Sequence, residues 1–386
     1  MLILKGASYE NCSCWGGGNL GLSLTGFLAH NTTHTIWLYT EKNILKYGSL
    51  KIIDIEDELS YETENFIVSF DKQKTFCDVD VVLCTYPAFL RPKFSKEIEE
   101  VLNLKCKLIF LPGYGGVEYC CKNLIDKGLT IFGLQRVPFI TRAELNDTGY
   151  VAKILSKKKN LKLASFPNCI NLCDFFENNF KINTTCFKSF LPITLCNSNP
   201  ILHLCGVYNA FKDYSLGVTY KNQLYMYDLW NDETSELLIK YDTELQSIYK
   251  KISLKYIDEY TPLTEYYEAN TANLMTKKLK SIEAFKEVKV PLKEINGVYV
   301  PDLNSRVFIE DFPYGICIYK ELANLFNIEV PVMDMLLSFY DKISGIKYYD
   351  KNGIPTSNIE NTGSPIIFGL NTKKKIQNYY EKGDER

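Results

Sequence analysis

Histidine is scarce in this chain, with three in 386 residues. With so few imidazoles and no paired CxxC spacing among the cysteines, a metal site of the zinc type is not expected. Apolar runs are short: none reaches the length that crosses a membrane. The opening Met1-Leu2-Ile3-Leu4-Lys5-Gly6 is too short for the apolar core of a signal peptide with its cleavage site. A cytoplasmic protein with no membrane partner is therefore expected. An excess of one charge is missing too. Lys and Arg number 44 against 46 Asp and Glu, a net charge of −2, which gives no reason to expect nucleic acid as a partner. What is plentiful is cysteine. The 13 cysteines are odd in number and scattered, mostly inside apolar runs, so they read as buried reduced thiols and not as a disulfide framework. A chain of this length exceeds the size at which single cores stop growing, so two domains are expected, with small molecules as partners.

The most informative stretch is Gly16-Gly17-Gly18-Asn19-Leu20-Gly21. Gly16 permits a tight turn, Gly18 lets the main chain approach a pyrophosphate, and Gly21 lets the next helix pack close to its strand. The helix that Asn19 and Leu20 open would turn its first amides and its dipole toward the phosphates. Taken alone the pattern could equally be an ordinary loop. Its neighbours favour a dinucleotide. Thr35-Ile36-Trp37-Leu38-Tyr39-Thr40 reads as the second strand of a βαβ unit, and Glu41 stands 20 residues past Gly21, where an acid meets the adenosine ribose. A carboxylate there favours NADH, whereas Thr40 and Lys42 could serve the extra phosphate of NADPH, so both cofactors stay open. Asn11-Cys12-Ser13-Cys14-Trp15, ahead of the glycines, is a poor strand by composition.

Further along, Leu50–Ile55, Phe66–Phe70, Val79–Thr85, Lys107–Leu111, Thr130–Leu134 and Val151–Leu155 are expected strands, with a helix over 95–104. The third of these strands is apolar almost throughout, as in a parallel sheet covered on both faces, and its end at Pro87 would border the cofactor. Pro112-Gly113-Tyr114-Gly115-Gly116 reads as a cleft wall, and Lys157-Lys158-Lys159 as a solvated turn. A Pro/Asn-rich connection at 191–200 marks the domain boundary, giving domains 1–196 and 197–386. Helical periodicity follows over 235–249, 264–280 and 313–326, and the Lys/Glu-rich tail from Thr372 reads as a frayed surface terminus. The expected class is an α/β Rossmann-like N-terminal domain joined to a mostly α-helical C-terminal domain.

Three segments could carry chemistry. His30 and His34 sit near the end of the first helix, a surface position. His203, in Asn199-Pro200-Ile201-Leu202-His203, falls just past the boundary, where a lone histidine in an apolar run could also be a satisfied core residue. Arg306, Glu310 and Asp311 cluster ahead of Pro313 and Gly315, and Asp311 could instead cap a helix that starts at the proline.

Together the glycine run, Asn-Pro-x-x-His at 199–203, Arg-x-x-x-Glu-Asp-x-Pro-x-Gly at 306–315 and Val330-Pro331-Val332-Met333-Asp334 resemble the opine dehydrogenases of the octopine/nopaline type, over nearly the whole chain. Gln135-Arg136 to Thr141-Arg142 also looks like a segment of that family near its substrate cleft. The resemblance implies NAD(P)H-dependent reductive condensation of an amino acid with a 2-oxo acid such as pyruvate. It implies His203 as catalytic acid/base and Asp311 as the carboxylate that orients it. Gly16, Gly18, Asn19, Leu20, Gly21, Thr40, Glu41, Lys42 and Pro87 would hold the cofactor. Arg306, Arg142, Arg136 and Asn199 would bind substrate, since two carboxylates call for fork-shaped cations. A helical second domain could also supply a homodimer face. The chain departs from the family pattern at Ser13 and Trp15, before the glycines, and at Leu204, where proline often stands. Two other readings remain: a simple 2-oxo acid or hydroxy acid oxidoreductase of the glycerol-3-phosphate/ketopantoate type, which would look to a lysine, and a non-catalytic nucleotide-binding sensor.

Overall fold

The computed structural model describes residues 10–40, 48–167, 170–255, 258 and 260–382, so Glu41 and Lys42 lie outside the described residues. The chain divides into two compact units, one running to Ile193 and taking in Tyr380, the other Thr194–Tyr379.

The first unit contains β1 (Asn11–Trp15), β2 (Thr35–Tyr39), β3 (Leu50–Asp54), β4 (Leu59–Thr63), β5 (Phe66–Ser69) and β6 (Val81–Cys84). It continues with β7 (Lys107–Phe110), β8 (Ile131–Leu134), β9 (Phe139–Asn146), β10 (Gly149–Lys157), β11 (Asn160–Phe166) and β12 (Asn183–Cys186). Its main sheet has the order β12-β11-β8-β7-β6-β1-β2-β5 and is parallel except between β8 and β11. A second sheet, β4-β3-β10-β9, lies against α1 (Asn19–Asn31). Because α1 meets strands of both sheets, every residue from Gly21 to Ala29 is buried, and a Cβ on Gly26 would stand 2.4 Å from Ile52 Cδ1.

β1, the poor strand by composition, lies at the centre of the main sheet between β2 and β6. The hydroxyl in mid-strand and the backbone at its start find partners, although the buried Trp15 Nε1 finds none. The Ser13 hydroxyl donates to the Thr75 carbonyl at 3.0 Å, and Asp80 Oδ2 accepts from the Glu10 and Asn11 amides at 2.9 and 3.0 Å. Trp15, fully buried, stacks on Phe76 with centroids 4.4 Å apart. Local satisfaction overrides β-propensity here.

Other differences have equally local causes. The helix expected over 95–104 begins earlier, as α2 (Arg91–Ile98), with Pro92 in its first turn, where the missing N–H is harmless. Lys157 is no solvated turn: it ends β10 and pairs with the buried Asp54 at 2.6 Å and with Asp57. α3 (Cys173–Phe180) packs beside β12.

The second unit holds α4 (Ser198–Phe211), α5 (Asp232–Ile252), a ten-residue π-helix (Val307–Ile316) running into α6 (Cys317–Leu325), and α7 (Pro331–Ser344). The expected helix over 264–280 is broken where Glu268 takes φ 54°, and resumes over Ala272–Ser281. One hairpin interrupts the helices: β13 (Leu292–Ile295) and β14 (Val298–Pro301) meet at Asn296-Gly297, both at positive φ, as a two-residue turn of this type requires. Over its described residues, to Lys382, the C-terminal tail is not frayed. It forms α8 (Lys373–Glu381), and the buried Tyr380 hydroxyl donates to Glu118 Oε1 at 2.6 Å.

Glu244, on α5, accepts the Val332 and Met333 amides at 2.6 and 3.1 Å and so caps α7, whose own N-cap Val330 has no side chain able to do it. Burial pushes the Glu244 carboxyl up from 4.5 to about 6, against the pull of those two amides. The folded chain thus holds this proton more tightly than the unfolded chain, and its contribution to stability is lost as pH rises from 4.5 to about 6. Glu244→Gln should flatten the fall in urea stability across that window by about 2 kcal/mol. An unchanged slope would show that Glu244 does not titrate there.

The glycines give a second test. A Cβ on Gly21 would lie 1.6 Å from the Gly16 carbonyl oxygen, whereas one on Gly18 meets nothing within 4 Å. Gly21→Ala should therefore lower stability by ~1–3 kcal/mol or more, and Gly18→Ala by about 1 kcal/mol at most, read from thermal unfolding.

Candidate active site

In the first unit the chain leaves β1, turns at Gly16 with φ 118°, and enters α1. The Gly16 amide donates to the Tyr39 carbonyl at 3.1 Å, and a Cβ at this position would stand 2.6 Å from Thr85 Oγ1. Gly18 is exposed and forms the N-cap of α1 without any side-chain cap, so the first-turn amides, those of Asn19 and Leu20 among them, have no side-chain partner from it. That is the cradle an anionic group needs: open backbone at Gly18, a helix N-terminus behind it, and close packing at Gly16 and Gly21. These residues fit a dinucleotide pyrophosphate.

The Asn19 side chain is already engaged, accepting the Ala143 amide at 3.0 Å, which ties the turn to β9. Leu20 packs half-buried on the core. Thr40 is buried at the end of β2, and its amide donates to the Ser69 carbonyl at 3.4 Å. Pro87 caps the short turn Ala88–Leu90 after β6.

Two residues that sequence reasoning missed hold this region. Thr85 bonds the Trp15 carbonyl through its amide at 3.1 Å and its hydroxyl at 2.7 Å, fixing the start of the glycine turn. Arg91, 1% exposed, donates to the carbonyls of Tyr86 at 3.0 Å, Pro112 at 2.8 Å, and Tyr114, so one guanidinium pins the loops after β6 and β7. Its only sequence signal was a cation at the start of a helix after a buried strand.

In the second unit α4 opens on Asn197, whose side chain accepts the Asn199 amide at 3.0 Å. Asn199 itself is exposed in the first turn. One turn on, His203 is 34% exposed by its side chain, and its Nδ1 lies 2.8 Å from Asp311 Oδ2. The contact is made possible by Gly315: a Cβ there would stand 3.1 Å from Pro200 Cβ, so glycine lets the π-helix approach α4. The π-helix tolerates Pro313 inside it and packs Phe312 against Tyr340 at 4.3 Å. Asp311 is thus no N-cap, because it lies in mid-helix and is 4% exposed.

Burial raises the Asp311 carboxyl above the usual range, opposed by the charge and hydrogen bond of His203, with Glu310 adding to the rise and Arg306 reducing it. A carboxylate only accepts hydrogen bonds, so Nδ1 carries the proton and Nε2 is left to exchange one with another molecule. Arg306, 68% exposed, donates from Nε to the buried Glu310 Oε2 at 2.7 Å. Of the arginines in the first unit, Arg142 is exposed on β9 and donates to its neighbouring Thr141 carbonyl at 3.1 Å, while Arg136 is half-buried in the loop after β8. His30 stacks on Tyr61 at 3.8 Å, and His34 Nε2 lies 2.8 Å from Asn179 Oδ1, so neither joins a site.

Residues 186–344 match the family model described as NAD/NADP octopine/nopaline dehydrogenase, alpha-helical domain. An opine dehydrogenase of Haliotis discus hannai is 25% identical, with 94% of this chain and 97% of the relative aligned. An octopine dehydrogenase of Mizuhopecten yessoensis is 21% identical over 95% of this chain and 97% of its own. A solved octopine dehydrogenase structure with NADH and L-arginine superposes with a TM-score of 0.83 at 19% identity, covering 98% of this chain and 99% of that one. With a Rossmann-like sheet and a helical second unit, the chain shares the fold of octopine dehydrogenase and is similar along nearly its whole length to opine and octopine dehydrogenases.

Proposed function

We propose that this protein catalyses the NAD(P)H-dependent reductive condensation of an amino acid amine with a 2-oxo acid such as pyruvate, forming an N-(carboxyalkyl) amino acid. The observation that carries this reading is the pairing of His203 Nδ1 with Asp311 Oδ2 at 2.8 Å, which leaves a half-exposed imidazole with one nitrogen free. The amino acid arrives as an ammonium, and Nε2 takes its proton so that the nitrogen lone pair can attack the 2-oxo carbon. A proton passes from the new ammonium nitrogen to the oxygen to give the carbinolamine, and the proton held on Nε2 then goes to that hydroxyl, which departs as water and leaves a protonated imine. Asp311 holds the ring in register and stabilises its charged form during the interval. Bound NADH or NADPH supplies the hydride that reduces the imine carbon.

Residues 1–196 would hold the cofactor through Gly16, Gly18, Asn19, Leu20, Gly21, Thr40 and Pro87, and residues 197–386 the substrate chemistry. Arg306, Arg136 and Arg142, with Asn199, are the donors offered to the two substrate carboxylates. A cytoplasmic setting suits the chain, whose 13 cysteines are mostly placed in apolar runs.

The discriminating experiment is NADH and NADPH oxidation across 2-oxo acids crossed with amino acids. Turnover should require both. A 2-oxo acid reduced without any amine would establish the simpler oxidoreductase instead. His203→Ala should lower turnover by roughly 10²–10⁴-fold while NADH binding, read by fluorescence titration, stays near wild type. Unchanged turnover removes His203 from the mechanism. Glu41 is the residue we assign to the ribose hydroxyls, so NADH should be preferred and Glu41→Ala should narrow that preference. A wild-type enzyme that prefers NADPH contradicts the assignment.

A further inference from the structure

Cys173 and Cys186 are separated by 13 positions, yet their sulfurs lie 3.1 Å apart. Cys173 opens α3 and Cys186 ends β12, the edge strand of the main sheet, where it pairs with Leu163 of β11. Asn171 links the two, its Oδ1 accepting the Cys173 amide at 2.8 Å and lying 3.5 Å from the Cys186 sulfur. Both side chains are therefore already held at the facing positions, and a bond of about 2 Å needs only about 1 Å of further approach. The other cysteine contacts among the described residues are between near neighbours in sequence, Cys12 with Cys14 on β1 and Cys120 with Cys121, whose sulfurs are 3.9 Å apart, and all four are buried, while Cys77 is exposed.

We propose that Cys173 and Cys186 form a site of reversible oxidation, closing to a disulfide that ties the edge strand β12 to α3 in the presence of a low-molecular-weight disulfide such as oxidised glutathione. Cys186 is the half-buried thiol and reacts first. Its thiolate attacks one glutathione sulfur, the glutathione S–S bond breaks, and a glutathione thiolate leaves and is protonated by water. Cys173 then loses its proton to solvent and attacks the Cys186 sulfur, expelling the second glutathione. Two protein thiols are oxidised and one glutathione disulfide is reduced to two thiols. The order follows from burial, which pushes the Cys173 thiol up to about 12 and leaves it a poor first nucleophile. The bond restricts the unfolded chain and stabilises the first unit.

The test treats the full-length protein with oxidised glutathione, blocks residual thiols and maps peptides by mass spectrometry, with thermal unfolding in parallel. The expected result is a peptide pair joined through Cys173 and Cys186, two fewer free thiols at that pair, and a raised thermal midpoint that dithiothreitol reverses. Cys186→Ala should abolish both the link and the shift, and Cys173→Ala should trap Cys186 as a glutathione adduct. Cys77→Ser should leave the link intact. The proposal is overturned if wild-type Cys186 accumulates as the glutathione adduct, or if both cysteines stay reduced while Cys77 is modified.

Discussion

Two carboxylates stand side by side in the π-helix, and burying both is the constraint around which the second unit is arranged. Glu310 and Asp311 are 1% and 4% exposed, and each needs a cation because an unpaired buried charge costs several kcal/mol. The chain solves the two cases differently. Glu310 receives Arg306, a permanent charge from one turn earlier. Asp311 receives His203, an imidazole that can carry or release a proton. The second choice matters chemically, because only the titratable partner can pass a proton onward.

Consecutive residues on a helix point in different directions, so neighbouring acids of the π-helix face different partners: Glu310 reaches back four positions to Arg306 while Asp311 turns toward α4. Pro200 and Gly315 set the separation between these elements, and Phe312 packs the π-helix against Tyr340 of α7. The first unit uses glycine for the same purpose at closer range: Gly21 admits the Gly16 carbonyl, and Gly26 admits Ile52. In both units the functional geometry depends on backbone approaches that a methyl group would prevent.

How much of this the sequence carried can be judged residue by residue. The strands at 79–85 and 107–111 and the long helix around 235–249 declare themselves through apolar runs and helical spacing, because burial on both faces or along one stripe leaves a pattern. The pairing of His203 with Asp311, 108 positions apart, leaves no local pattern and came only through resemblance. β1 was undervalued because its stability comes from Asp80 and Thr75, distant in sequence. Arg91 was invisible for a similar reason: its partners are backbone carbonyls, which no sequence pattern announces. The tail looked solvated from its lysines and glutamates, but Ile376, Tyr379 and Tyr380 on one face of α8 are buried.

Arg91 shows how a buried charge can organise a binding surface without touching a carboxylate. Its guanidinium sits over the Phe110 ring at 5.5 Å and spreads its donors over carbonyls from two loops. Each carbonyl contributes only a partial negative charge, so the positive charge is solvated by dipoles and not neutralised by a counter-ion. Lysine could not reproduce this, since one ammonium lacks the planar fork that reaches Tyr86, Pro112 and Tyr114 together. The loops that Arg91 holds lie at the carboxyl ends of β6 and β7, where ligands of open α/β sheets bind. A single side chain thereby fixes the loop that carries Pro87 to the Pro112–Gly116 loop.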